Sequence, residues 1–267
     1  MKKSDKKSKV EHIDGMYIYC VADSGKSISI GNNGIEGNEV YTIPYLNISA
    51  VVHNCPAKPY ISEDEKVVKE WVMTHEKVIE TASEKFGTIL PLGFDTIVKG
   101  NENISANKNV KKWLRENYEN LVEKIEKVMG KAEYGVQVSW DPKIIANNLT
   151  ETNPEIKELK EEIILKPRGA AYMYKQKLEN LIRKAMEREA DLYFKDFYGR
   201  IKKHVDDIKI EKTKKIKDGQ MLMNLSCLVH KDKVKGLGKD LGELNNISGV
   251  YVKFTGPWPP YSFVAPG

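Results

Sequence analysis

The chain has 267 residues, of which 40% are hydrophobic and 30% charged, and its formal net charge is +5. These values are typical of a globular fold with one or two domains and a substantial core. No apolar run approaches membrane-spanning length and no signal-peptide core is present, so we expect a cytoplasmic protein without a membrane span.

The positive charge is concentrated at the start of the chain. Residues 1–9 contain five lysines and one aspartate, a net +4, which leaves +1 for all other residues. Only five of the 43 basic residues are arginine, the side chain best suited to bases and phosphates. We therefore expect no nucleic-acid partner, and a disordered, solvated basic tail at residues 1–15.

The three cysteines carry no sign of a disulfide framework or a metal site. Cys20, Cys55 and Cys227 are odd in number and lack the close spacing of metal ligands. Their pattern favours buried, reduced thiols over a disulfide or a catalytic thiol.

Residues 16–130 are predicted to form a smaller mixed α+β domain. Strands are expected at 16–22, 41–45 and 48–53, with a Gly- and Asn-rich loop at 31–38. A helix is expected to begin at the N-cap Ser62, and a short buried segment at 89–94 follows it. A second helix is expected to carry Val110 to Val128 and to stop at Gly130. The apolar stripe of the first helix consists of Val68, Trp71, Val72, His75, Val78, Ile79 and Ala82.

Residues 131–255 are predicted to form a ferredoxin-like domain with the order β-α-β-β-α-β. The expected elements are a strand at 134–140, a short helix at 154–166, a long helix at about 168–204, strands at 207–215 and 221–230 joined by Asp218-Gly219, a helix at 231–245 and a strand at 250–254. Right-handed crossovers would place both main helices on one face of an antiparallel sheet. The whole chain is thus predicted to be a two-domain α+β protein.

The sequence offers no catalytic, cofactor-binding or metal-binding residues. Nucleophile-elbow, P-loop, zinc-helix and dinucleotide fingerprints are all missing from it. His75 lies on an apolar helix face, which favours a hydrogen-bonded packing residue over a base or ligand. His204 with Asp206 and Asp207 forms a polar group at a helix end, but no third partner completes a catalytic set. We therefore expect no enzyme activity and no cofactor.

The C-terminal tail, residues 256–267, is the most informative segment. Its prolines fix φ and push the preceding residues toward extended conformations, so the tail is stiff before it binds anything. Two interpretations remain open: the tail packs on its own domain, or it is an arm that docks on a partner or neighbouring subunit. The candidate packing or interaction residues are Pro257, Trp258, Pro259, Pro260, Tyr261 and Phe263.

The tail also carries a family resemblance. Gly256 to Phe263, with the sequence GPWPPYSF, resembles the C-terminal signature of the gas vesicle protein F/L family. Departures are Gly93, where the family often has arginine, and the loop at 24–38, which matches no family pattern. Further segments are similar to family motifs in the family's order, namely Met16 to Val21, Ile48 to His53, His75 to Ile79, Ile89 to Phe94, Gly169 to Met173 and Leu225 to His230.

The resemblance implies an accessory or minor structural protein of gas vesicle assembly. Such a protein would bind the major gas vesicle shell protein, other vesicle accessory proteins, or both, during nucleation or growth of the gas-filled shell, and it would be found on the vesicle in the cytoplasm. An alternative from the residues alone is a small-molecule-binding or enzymatic α+β protein with a cleft between its domains. Between an F-like and an L-like member the sequence does not discriminate.

Overall fold

A computed structural model describes residues 14–165, 167–217 and 219–264, without the side chains of 168–171. The prediction for the basic tail therefore falls almost wholly outside the described residues, as does Asp218 of the expected hairpin. Within the described residues the chain forms two β-sheets and eight α-helices, which confirms the predicted α+β class.

The elements follow one another along the chain. The strands are β1 Asp14–Ala22, β2 Ser29–Gly31, β3 Val40–Tyr45, β4 Ile48–Pro56, β5 Ile89–Pro91, β6 Ile97–Lys99, β7 Lys131–Trp140, β8 Asp207–Ile210, β9 Gln220–His230 and β10 Val250–Trp258. The helices are α1 Glu65–Phe86, α2 Ala106–Glu116, α3 Tyr118–Val128, α4 Pro142–Thr152, α5 Pro154–Ile164, α6 Arg168–Lys202, α7 Val234–Asn245 and α8 Tyr261–Val264.

The elements cluster into two compact units. The first unit runs to Gly130 and also includes the chain from Pro259 onward, whereas the second unit is Lys131–Trp258. The C-terminal residues thus belong to the unit that the chain left at Gly130, and not to the unit that directly precedes them.

The first unit is built on an antiparallel sheet with the order β2-β3-β4-β1-β5, and β6 also pairs with β1. Every residue of β1 from Gly15 to Ala22 is buried, so both faces of this strand are covered. Both α1 and α2 pack against β1. Val78, Ile79 and Ala82 of α1 lie in one core with side chains of β1 and β4.

The second unit is built on an antiparallel sheet with the order β10-β7-β9-β8. Three helices, α4, α5 and α6, lie between β7 and β8 in the sequence, and α7 lies between β9 and β10. Phe197 and Ile201 of α6 share one buried cluster with Leu237, Leu241 and Leu244 of α7. The strand side chains of that cluster include Val136, Val138, Met223, Leu225 and Cys227.

Several predicted boundaries were wrong. Asp64 and not Ser62 caps α1, because the Asp64 carboxylate accepts from the Lys66 amide at 2.9 Å. The expected helix from Val110 to Val128 is two helices, since the Asn117 side-chain and backbone N–H groups both donate to the Trp113 carbonyl and end α2 there.

Two strand predictions also differ from the structure. The strand expected at 207–215 ends at Ile210, where the Asn224 amide donates to the Lys212 carbonyl at 2.8 Å in place of a regular ladder bond. The last strand is longer than expected and runs to Trp258. Helix α4 and strands β2 and β6 lie where the sequence predicted no element.

Candidate functional site

The six candidate tail residues fall into two groups with opposite environments. Pro257 and Trp258 lie at the end of β10, where Trp258 pairs with Glu133 and remains 55% exposed. Pro260 and Phe263 are buried, and Pro259 and Tyr261 are half-buried. The tail is therefore both an exposed aromatic edge and a packed anchor.

Gly256 makes the turn at the start of the tail possible. Its φ is 118°, a left-handed value that side chains rarely adopt. A Cβ at this position would lie 2.8 Å from the Glu133 carbonyl oxygen and 2.9 Å from the Tyr134 ring. Only glycine therefore fits where β10 passes β7, and the Gly256–Pro257 peptide bond that follows is cis.

The anchor is the short helix α8 together with Pro259 and Pro260. Phe263 and Val264 are 6% and 5% exposed, so both side chains are essentially removed from water. The Lys124 ammonium donates to the Val264 carbonyl at 3.0 Å, and the Lys127 ammonium lies 5.9 Å from the centre of the Phe263 ring. Helix α3 thus holds the anchor by charge as well as by packing.

Tyr261 places a hydroxyl group on the C-terminal anchor against α1. The hydroxyl donates to the Glu76 carboxylate at 3.1 Å and lies 3.5 Å from Nε2 of His75. Burial, together with the adjacent Glu76 charge, raises the pKa of Tyr261, so the hydroxyl keeps its proton.

Next to Tyr261 lies a group of five ring side chains, four of them buried and Tyr60 half-buried, which we call the Tyr–His cluster: Tyr17, Tyr19, His53, Tyr60 and His75. The Tyr17 hydroxyl is 2.9 Å from Nδ1 of His75, and the Tyr19 hydroxyl is 2.8 Å from Nδ1 of His53. His53 Nε2 reaches the Tyr60 hydroxyl at 3.0 Å. His53 is therefore bonded at both ring nitrogens.

Hydrogen bonding assigns the direction of the bonds around His75. Nε2 lies 3.2 Å from the Leu92 carbonyl, an acceptor, so the ring proton is assigned to Nε2. Nδ1 then accepts from the Tyr17 hydroxyl, which itself accepts from the Asp95 amide at 3.0 Å. One continuous set of bonds thus connects α1, β1 and the loop after β5.

The cluster is uncharged at neutral pH. Burial lowers the pKa of His53 and of His75 to about 4, so both rings are neutral imidazoles. Burial also raises the pKa values of Tyr17 and Tyr19. Neutral rings bonded at both nitrogens satisfy the buried polar groups between α1, β1 and β4 and so stabilise this packing.

The other polar candidates lie apart from this cluster. His204 pairs with Asp240 at 3.0 Å, and Asp206 pairs with Lys233 at 2.8 Å, so both link the end of α6 to the region of α7. The three cysteines are free thiols, with Cys20 and Cys227 buried and Cys55 half-buried. Burial raises the pKa of each thiol, which disfavours the reactive thiolate.

The described residues contain neither a metal-ligand cluster nor a membrane-spanning helix. No three His, Cys, Asp or Glu side chains within residues 14–165, 167–217 and 219–264 are grouped to hold a metal ion. In the same part of the chain, no helix combines the length and the apolar character needed to cross a membrane.

Sequence reasoning missed most of the Tyr–His cluster. It placed His75 on the apolar face of α1, where the structure has it, but it gave no role to Tyr17, Tyr19, His53 or Tyr60. A signal was present, since Tyr17 and Tyr19 alternate along a strand and put two hydroxyls on one face. Buried hydroxyls need partners, and His53 of the neighbouring β4 is one of them.

The geometry defines a class: a mixed α+β protein with two antiparallel sheets, whose aromatic tail is anchored to the first unit. The family model described as gas vesicle synthesis protein GvpL/GvpF matches residues 15–265. The chain therefore belongs to the GvpL/GvpF family and has a role in gas vesicle assembly. The resemblance read from the tail is thus confirmed.

Individual relatives agree with this assignment. The chain is 29% identical over 263 residues to gas vesicle protein L1 of Halobacterium salinarum, covering 94% of this chain and 90% of that protein. It is 28% identical over 244 residues to gas vesicle protein L of Haloferax mediterranei, covering 89% and 74%. A Streptomyces gas vesicle protein F is 25% identical over 264 residues, covering 93% and 98%.

Solved structures show the same fold. The crystal structure of the gas vesicle protein GvpF from Anabaena superposes with a TM-score of 0.73 at 18% identity, covering 95% of this chain and 99% of that one. GvpF from Microcystis aeruginosa gives a TM-score of 0.64 at 17% identity, covering 94% and 99%.

Proposed function

We propose that this protein is an accessory or minor structural protein that binds the major gas vesicle shell protein, other vesicle accessory proteins, or both, while the gas-filled shell is nucleated or grown. It acts in the cytoplasm, on the vesicle, without catalysis, metal or cofactor. Membership of the GvpL/GvpF family supports a role in vesicle assembly. The exposure of Trp258 in the tail supports action by binding a partner.

The observation that carries the proposal is the exposure of Trp258 beside a fixed anchor. An exposed indole on β10, an edge strand of its sheet, is well suited to contact a partner. Tyr251 and Phe254 of the same strand are also exposed. Trp258 pairs with Glu133 of β7, so the backbone that carries the indole is held within the sheet, which lowers the entropy lost on binding.

The layout of the chain is part of the proposal. We take residues 16–130 as one domain and residues 131–255 as a ferredoxin-like domain, with residues 256–267 as the tail. The strand order β10-β7-β9-β8, with α6 and α7 in a common core, supports a ferredoxin-like arrangement in which the first helical connection is expanded by α4 and α5.

Trp258→Ala tests the docking role. Because the side chain is half exposed, we expect the melting temperature to change by no more than a few degrees, while recovery of co-expressed major shell protein in a pull-down falls at least several-fold. Tyr261→Ala is the matched control, since it removes an anchor ring and should lower the melting temperature. Shell-protein recovery by the wild type no greater than by an unrelated ferredoxin-like domain would contradict the proposal, as would full recovery by Trp258→Ala.

Thermal shift assays test the absence of ligand chemistry. Nucleotides and divalent cations at micromolar to millimolar concentration should leave the melting temperature unchanged, because we expect none of them to bind. A ligand present at 100 times its Kd would add about 2.7 kcal/mol of stability to the folded state, so binding would be detected. Stabilisation by several degrees, or a stoichiometric metal in elemental analysis, would support the enzymatic or small-molecule alternative.

A further inference from the structure

A groove in the second unit shares no residue with the exposed aromatic side chains of β10, which are Tyr251, Phe254 and Trp258. It has a volume of about 600 Å³ and lies along α6 beside the end of β7 and the start of β9. Its lining residues are Trp140, Glu179, Ile182, Arg183, Met186, Glu187, Ala190, Asp191 and Gln220.

The groove is long enough to hold a helix of about three turns. Its α6 residues occur at 3–4 spacing from Glu179 to Asp191, so they form one stripe along the helix. The twelve steps from residue 179 to residue 191, at about 1.5 Å per step, give a stripe of about 18 Å, or just over three turns. A trough of this shape suits an elongated partner better than a compact small molecule.

The floor of the groove is apolar and firmly held. Ile182, Met186 and Ala190 supply aliphatic surface from α6, and Trp140 closes the other side. The indole N–H of Trp140 donates to the Gln220 side chain at 3.1 Å, and its ring meets Tyr193 edge-on at 6.0 Å. The indole orientation is therefore fixed without any partner.

The rim is acidic in a chain of opposite net charge. Glu179, Glu187 and Asp191 are exposed along the stripe against one cation, Arg183, which lies 3.4 Å from Glu187. Three carboxylates and one guanidinium leave two negative charges around an apolar floor, whereas the whole chain carries +5. Charge complementarity thus favours an occupant that carries basic side chains beside its apolar face.

We propose that this groove binds an amphipathic helix of another gas vesicle protein, whose apolar face is flanked by lysine or arginine. The inference rests on the proposed function, because it assumes that a protein partner exists. In the bound state the partner's apolar side chains at i, i+3, i+4 and i+7 would cover Ile182, Met186 and Ala190. Its basic side chains would lie against Glu179 and Asp191.

Photo-crosslinking identifies the occupant. A photoreactive phenylalanine is placed at the exposed rim position 183, where it does not fill the trough, or, as a control, at position 192 of the full-length chain, in cells that form vesicles. Leu192 is 60% exposed and is not a lining residue. We expect position 183 to crosslink to a predicted helix with basic flanks in another gas vesicle protein, and position 192 to give little product. A crosslink only to a second copy of this chain, only to an acidic or extended segment, or to no protein would overturn the proposal.

Matched lysine substitutions test the groove by affinity. Ala190→Lys fills the trough and adds a positive charge, whereas Leu192→Lys adds the same charge outside it. We expect at least a tenfold loss of binding to the crosslinked segment, measured with a synthetic peptide, for Ala190→Lys and less than a twofold change for Leu192→Lys. Wild-type affinity should also fall as salt rises, because the rim carboxylates are exposed. Equal effects of the two substitutions would overturn the proposal.

The same cells separate this inference from the proposed function. If shell or accessory proteins still co-purify with the wild type while position 183 gives no crosslink, the groove proposal is wrong and the proposed function stands. If no vesicle protein co-purifies at all, both are wrong.

Discussion

Single hydrogen bonds determine how the tail is attached. The Tyr261 hydroxyl contacts Glu76 and His75, two residues that lie 185 and 186 positions earlier in the sequence. His75 in turn bonds to Tyr17 and the Leu92 carbonyl, so a tail contact is continuous with the centre of the first sheet. A change at one of these groups is therefore expected to alter both tail attachment and core stability.

Tyr261→Phe tests the hydroxyl without removing the ring. The substitution leaves Glu76 without this donor while most of the aromatic packing is kept. We expect the free energy of unfolding to fall by about 1 kcal/mol, the usual net value of one hydrogen bond. Chemical denaturation measures it, and Tyr251→Phe on the exposed part of β10 is the matched control. Equal stability of Tyr261→Phe and the wild type would argue against the Glu76 contact.

The neutral imidazoles of His53 and His75 predict a pH dependence of stability. Both pKa values are about 4 in the folded protein and about 6.5 in the unfolded chain, so the unfolded state binds more protons between these values. Stability from this source is complete above pH 6.5 and is lost as pH falls toward 4. The slope is at most about 1.4 kcal/mol per pH unit for each ring.

Urea denaturation from pH 7 to pH 4.5 measures this slope. A His53→Gln/His75→Gln variant has a lower stability at pH 7 but should lose most of the slope, because no neutral imidazole remains in the cluster to be protonated. A wild-type stability that does not change between pH 7 and pH 4.5 would contradict the buried, neutral cluster.

At the scale of elements, helix ends and helix contacts follow local chemistry. Asp141 followed by Pro142 begins α4, with the Asp141 carboxylate accepting from the Lys143 amide at 2.8 Å. Helix α7 contains three glycines in 12 residues, a composition that weakens a helix unless close packing requires it. The environments of those glycines differ, which makes them separable by mutation.

Gly242→Ala and Gly236→Ala are predicted to have opposite effects. Gly242 is exposed and a Cβ there meets nothing within 4 Å, so alanine should stabilise α7 by up to about 1 kcal/mol. A Cβ at Gly236 would lie 2.9 Å from Nδ1 of His204, whose ring is held by Asp240. We therefore expect Gly236→Ala to lower the melting temperature. Thermal denaturation of both variants checks the pair, and a shared sign would contradict the α6–α7 contact.

At the scale of the whole molecule, the chain passes from the first unit to the second and then returns. The returning residues, Pro259–Val264, add α8 to the first unit, where Phe263 and Val264 are buried. The stability of the first unit is therefore expected to depend on a segment that follows the whole second unit in the sequence.

Ending the chain after Trp258 tests this dependence. Removal of the anchor exposes apolar surface beside α3 and leaves Glu76 without Tyr261, so amides of α1 and β5 should exchange hydrogen faster. Amides of β7 and β9 in the second unit should be unchanged and serve as the internal control. Hydrogen–deuterium exchange read by mass spectrometry makes the comparison. Unchanged protection of α1 would mean that the anchor does not stabilise the first unit.

Local patterns in the sequence predicted much of the fold, because they depend on near neighbours. Period-two alternation located β7, β9 and β10, and 3–4 spacing located α1, α6 and α7. Errors occurred where a side chain competed with the backbone, as at Asn117 and Asn224, or where a start signal such as Asp141-Pro142 was passed over. The domain boundaries stay a prediction.

The sequence by itself determined the α+β class and, through GPWPPYSF, the gas vesicle family. It left open whether the tail packs or projects, and the structure places part of it in each environment. Only tertiary structure joined Tyr17 to His75, Tyr19 to His53 and Tyr261 to Glu76, pairs that are 58, 34 and 185 residues apart. Period and composition report which face of an element is buried. They carry no information about which distant element will cover that face, because that depends on the path of the whole chain.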